Sequence, residues 1–142
     1  MKTNELKCTD LRIGNLINYF GDIIKVDTLE FFDGKERVGG INTTEGDRVF
    51  DKPSYFDPIE LTEEVLVKIG FGKRNDCYTL SNEYIFFVYY KDSFKQELLA
   101  SVKRKGKYYY NTNELKNYDI KYLHQLQNAY YCLTNEELEV NL

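Results

Sequence analysis

Residues 122–135, YLHQLQNAYYCLTN, constrain this chain more than any other stretch. At about 100° per residue, the repeat of an α-helix, Ala129, Tyr122, Leu133, Leu126, Tyr130 and Leu123 share one arc of roughly 120°. That is the width of stripe a helix lays on a core. Gln127, Tyr131, His124 and Asn128 fall on the opposite side. A surface helix ordinarily carries Lys and Glu there. Here the far face is polar and, with His124 neutral, uncharged. It hydrogen-bonds through amides, an imidazole and a phenol. Such a face suits a second contact, either with another part of the chain or with a partner. His124, Gln127, Asn128 and Tyr131 are therefore the candidate interaction or ligand face.

Upstream, the chain reads mostly as strands. Residues 15–19 lead to a turn at Phe20-Gly21-Asp22. Residues 23–31 then set Ile24, Val26 and Thr28 on one side and Lys25, Asp27 and Leu29 on the other. Asp33-Gly34 is a hairpin signal. Residues 38–43 form a return strand weakened by Gly39-Gly40, and Arg48-Val49-Phe50 form one more. Short strands joined by tight turns predict a small SH3-like β-module over 1–57, with an open meander as the alternative. Residues 51–57, with Pro53 and Ser54, read as a linker.

The second part, 58–142, predicts an antiparallel sheet with two helices, so the fold class is α+β. The first helix, 63–69, is punctuated by Thr62 as N-cap, Glu63 and Glu64 in its first turn, a Leu61/Leu66 staple, and a Schellman ending on Gly70 and Phe71. Residues 78–80, 84–90, 97–103 and 108–112 read as strands. The run at 84–90 is apolar on both faces, as a central strand is. Residues 111–119 read as a loop or a short helical turn. Residues 138–140 read as a terminal strand, or as the end of a short helix capped by Thr134.

Composition narrows the function classes. With 142 residues, the chain is long enough to fold without disulfide or metal. The net charge is −4, from 19 basic and 23 acidic residues, and neither half is strongly basic. Bulk electrostatics thus disfavour nucleic acid and anionic membranes as partners. Thirteen Tyr and nine Phe with no Trp suit strands and contact surfaces. Cys8, Cys77 and Cys132 form no paired motif and fit free thiols in a reducing cytoplasm. No apolar run is long enough to span a membrane, and the first residues lack the apolar stretch of a signal peptide.

Chemistry-bearing constellations are sparse, and no catalytic residue, metal ligand or cofactor is assigned. His124 is the one histidine, which excludes multi-histidine metal sites. Cys132 lies two helical turns beyond it, rotated by about 80°, a poor geometry for a dyad. Ser54, Ser81, Ser93 and Ser101 lack a nucleophile-elbow context. The glycine pairs lack a dinucleotide fingerprint. One basic cluster, Lys103, Arg104, Lys105 and Lys107, precedes Tyr108-Tyr109-Tyr110. Cations beside aromatics can hold a nucleic-acid strand, but here they occupy a turn in an acidic chain, and a solvated hairpin is the preferred reading.

Three segments, LRIGNLINYFGDIIKV (11–26), PIELTEEVLVKIGF (58–71) and YLHQLQNAYYCLTNEELEV (122–140), together resemble a family of short uncharacterised proteins of Bacteroides-like gut bacteria and their phages and mobile elements. The resemblance spans most of the chain in order. Val65 and Asn135 depart from the pattern, standing where a large aromatic and a Gly are expected. The resemblance implies a bacterial or phage cytoplasmic setting and carries over no site residue. The expected function is a non-enzymatic interaction protein with a protein partner or a second copy of itself. The alternatives are a small-ligand or nucleotide-sequestering module and, third, a nucleic-acid-binding accessory protein.

Overall fold

Two tight turns shape the first sheet. In the computed structural model, which describes residues 6–74, 77–81, 84–92, 97–104 and 118–142, β1 (Leu16–Tyr19) and β2 (Asp22–Phe32) are joined by Phe20 and Gly21. Both are left-handed, with φ of 48° and 93°. Asp33 and Gly34, with φ of 52° and 72°, join β2 to β3 (Lys35–Asn42) in the same way. Two-residue loops with positive φ at both positions match the twist of the strands they connect. The Asp-Gly pair signals this directly. Phe20 does not, and its left-handed backbone is accompanied by ring packing: it meets the edge of Tyr19 at a centroid distance of 4.7 Å.

The chain divides into two compact units, Met1–Ile59 and Glu60–Leu142. In the first unit, β4 (Arg48–Asp51) returns along β3, and β5 (Phe56–Asp57) pairs with β1. The result is a curled antiparallel sheet, a half-barrel, in the order β4-β3-β2-β1-β5. Its core is Leu6, Leu11, Ile17, Ile24, Val26, Val38 and Phe56.

Three expectations change here. Residues 51–57 are not a linker. Pro53–Tyr55 form a 3-10 turn, and Phe56 beyond it is 1% exposed in the core. A single aromatic after Pro-Ser carries no periodicity to mark it as a strand. Second, β2 changes phase. Its pairing with β3 slips between Val26 and Thr28, so Asp27 is a bulge residue. Leu29, expected beside Lys25 and Asp27, instead packs on the core. Third, β3 begins at Lys35, not at residue 38, and its glycines favour the strand. A Cβ on Gly40 would collide with the Lys25 carbonyl and lie 2.6 Å from Ile24 Cγ2. Glycine here permits a close backbone approach.

In the second unit, α1 (Glu63–Lys68) forms as its punctuation predicts. Thr62 Oγ1 accepts the Val65 amide at 3.2 Å. Gly70 is left-handed at φ 101°. The Phe71 and Gly70 amides donate to the Leu66 and Val67 carbonyls, each at 3.0 Å, the two bonds of a Schellman ending. Leu61, Leu66 and Phe71 are buried. The sheet runs β10-β9-β8-β7-β6, all antiparallel, with β6 (Gly72–Arg74), β7 (Cys77–Ser81), β8 (Tyr84–Asp92), β9 (Glu97–Arg104) and β10 (Tyr118–Ile120). β8, the doubly apolar run, is the central strand. β6 and β10 were not expected: three residues each are too few for a periodic signal. The expected strand at 108–112 and the helical turn near 113–115 lie outside the described residues.

The closing helix, α2 (Leu123–Thr134), ends on Asn135 in the left-handed conformation, φ 59° and ψ 23°. The entries to the two helices are tied together. The Leu61 amide donates to the Lys121 carbonyl at 3.0 Å, and Glu60 bridges Tyr122. Residues 138–140 are neither strand nor helix. Instead of capping a helix, Thr134 accepts the Glu136 amide at 3.1 Å and donates to the Tyr130 carbonyl at 2.7 Å. Leu138 in the tail is buried.

Candidate functional site

The face of α2 opposite the apolar stripe is largely closed. Leu123, Leu126, Ala129 and Tyr130 of the stripe are buried, as expected, but so are His124 and Gln127, at 3% and 2% exposure. Asn128 is half-buried. Tyr131, 38% exposed, is the member of the four most open to solvent. The ring of His124 lies parallel to that of Tyr122, with centroids 5.9 Å apart. Gln125 caps the helix start: its Oε1 accepts the Lys121 and Tyr122 amides at 2.8 and 3.0 Å. The absence of charge on this face therefore marks a packed surface. An uncharged polar side chain loses far less on leaving water than a charged one. Cys132 is exposed while His124 is buried.

The basic cluster divides. Lys103 and Arg104 are the last two residues of β9. Lys105 and Lys107 lie outside the described residues.

The first unit carries two surface features that sequence periodicity did not reveal. One is a ribbon end. β1 pairs with β2 only as far as Lys25, and β4 pairs with β3 only from Val38 onward. Among the described residues, 30–32 and 35–37 are strand neighbours of each other alone. At the far end of this two-stranded ribbon, Phe31 and Phe32 are 71% and 74% exposed. They are successive residues and point to opposite faces. The base of the ribbon is tied down by Cys8, whose Sγ lies 3.4 Å from the Arg37 carbonyl and 3.8 Å from that of Glu30. Burial pushes the Cys8 thiol up, reinforced by the charge of Glu36.

The other is a cleft of about 480 Å³ beside the ribbon, floored by Leu6 and Pro53. Its walls bring together Lys7, Lys35, Arg37 and Lys52, with Glu36 and Ser54. These cations are spread along the chain and meet because the sheet pairs β3 beside the N-terminal segment and the 3-10 turn. Only the Lys35/Arg37 alternation was visible in sequence.

Elsewhere in this unit, Arg48 and Asp27 neutralise each other. Arg48 forms a forked contact with Asp27, at 2.6 and 3.0 Å, and also reaches Thr28 Oγ1 at 2.8 Å. The hydrogen bonds from Arg48 hold the Asp27 carboxyl below the usual carboxylate range. Tyr19 donates its hydroxyl to Asp51 at 2.9 Å, and this bond pushes the phenol up. Among the described residues, no three His, Cys, Asp or Glu side chains gather as a metal site. Nor is any described helix long and apolar enough to cross a membrane. Comparison with protein-family models, with curated proteins and with solved structures finds no match to this chain.

Proposed function

We propose that this chain is a non-enzymatic interaction protein of a phage or mobile element, acting in the cytoplasm, and that the end of the β2–β3 ribbon is its contact element. The observation that carries the reading is the exposure of Phe31 and Phe32, at 71% and 74%, on a ribbon that outruns its neighbouring strands. Burying one such side chain contributes roughly 1.5–3 kcal/mol. Two adjacent aromatics left in water at a projecting tip are a feature of contact sites more than of folding. The free thiol of Cys8 fits a reducing compartment. A four-strand meander, a 3-10 turn and a fifth strand laid on β1 also support reading the first unit as an SH3-like scaffold.

The simplest partner is a second copy. Light scattering in line with size exclusion should show a mass that rises with concentration for the wild type. It should stay at one chain for the double variant Phe31→Ser/Phe32→Ser. A wild type that remains a strict monomer at every concentration removes self-association through the ribbon.

A further inference from the structure

Half of the eight Lys and Arg residues of Met1–Ile59 line one concave place. The same unit carries eleven acidic residues, so carboxylates are not scarce. Two of those close in sequence to Lys7 and Lys52, Asp10 and Asp51, accept other donors. Asp10 Oδ2 accepts the Lys7 backbone amide at 3.0 Å. Asp51 accepts the Lys52 amide through Oδ1 at 2.8 Å and the Tyr19 hydroxyl through Oδ2. Arg37 spends one guanidinium nitrogen on the Glu36 carbonyl, at 2.8 Å, leaving the rest of its fork. Among the described residues, none of the four cations forms an ion pair with a carboxylate, whereas Arg48, on the same sheet, is held bidentately by Asp27. Among the described residues, Glu36 is the one acid in the cleft walls, so the described lining carries a net charge of +3, four cations less one anion.

We propose that this cleft binds the phosphate of a nucleotide, free or within a single strand of nucleic acid. The reasoning is electrostatic. Four like charges around one concavity repel, and a dianionic or polyanionic guest relieves that repulsion while forming charge-assisted hydrogen bonds. Arg37 supplies a planar fork suited to phosphate oxygens, and the three lysines supply point charges. The volume, about 480 Å³, falls within the range of small-ligand sites, roughly 300–1,000 Å³. The global charge of −4 does not oppose this, because screening confines each charge to about 8–10 Å at ordinary ionic strength. This inference stands on charge and is independent of the apolar ribbon end.

The test uses the full chain and three probes: ATP, inorganic phosphate alone, and a fluorescein-labelled oligothymidylate. ATP and phosphate are followed by calorimetry and the oligonucleotide by anisotropy, at ~50 mM KCl and again at ~200 mM. At least one probe is expected to bind at the lower salt and to weaken at the higher. Lys35→Glu/Arg37→Glu, with an unchanged circular dichroism spectrum, should lose about tenfold or more in affinity. Glu36→Gln, which removes the opposing charge, should gain affinity. Tightest binding of ATP identifies a mononucleotide site, and tightest binding of the oligonucleotide a strand site. The proposal is overturned if no probe binds at low salt, or if the charge-reversed variant binds as well as the wild type.

Discussion

Gly40 shows how one residue without a side chain decides a strand. Its would-be Cβ meets backbone, the Lys25 carbonyl, and backbone in a paired strand has nowhere to move. Gly39 is different. A Cβ there meets Phe50 Cδ2 at 3.0 Å and Thr28 Cβ at 3.1 Å, and Phe50 is half exposed, so its ring can swing aside. Gly40→Ala should therefore destabilise by roughly 3 kcal/mol or more, and Gly39→Ala by about 1 kcal/mol. Urea unfolding of the two variants measures the difference, and equal midpoints would contradict the steric account. The sequence showed the glycine pair but assigned it the wrong sign. Composition rules treat Gly as a strand weakener, and only the partner strand reveals that a Cβ has no room. His124 is a milder case. Its place on the polar arc of α2 was legible, and its burial was not, because burial depends on what lies over the helix.

At the scale of elements, legibility followed local punctuation. α1 carries its whole specification within eleven residues, from Leu61 to Phe71: a staple, a cap, two acids and a left-handed glycine. Each is a bond or contact between residues at most five apart, so the local sequence suffices. Thr62→Ala should lower stability by ~1 kcal/mol through the lost cap. Gly70→Ala should lower it by about 1 kcal/mol through the left-handed backbone. The two effects should add within ~0.5 kcal/mol in the double variant if the caps act independently; a thermal or urea series decides. β5, β6 and β10 have no such signature. They span two or three residues, and they become strands only because a partner edge offers hydrogen bonds. The bulge at Asp27 likewise arises from β3 across the sheet, and it turned Leu29 inward against the simple alternation of β2.

At the scale of the whole chain, the first unit carries a cluster of buried apolar residues running from Leu6 to Phe56. A domain of about 60 residues buries only ~60% of its unfolded surface and is marginally stable. Met1–Ile59 expressed alone should give a β-type circular dichroism spectrum and a cooperative but low-midpoint urea transition. A random-coil spectrum from this fragment, beside a folded full chain, would show that its seven-residue core is insufficient. Local patterns in the sequence specified the α+β class, α1 with both its ends, the stripe of α2, two hairpin turns, and the central place of β8. Each of these is encoded within a few residues, through period, cap or turn chemistry. Only the tertiary structure decided the incorporation of 56–57 into the first sheet, the phase of β2, the closure of the polar face of α2, and the meeting of Lys7, Lys35, Arg37 and Lys52 around one cleft. Those depend on which segments lie side by side, and no local pattern records the identity of a distant neighbour.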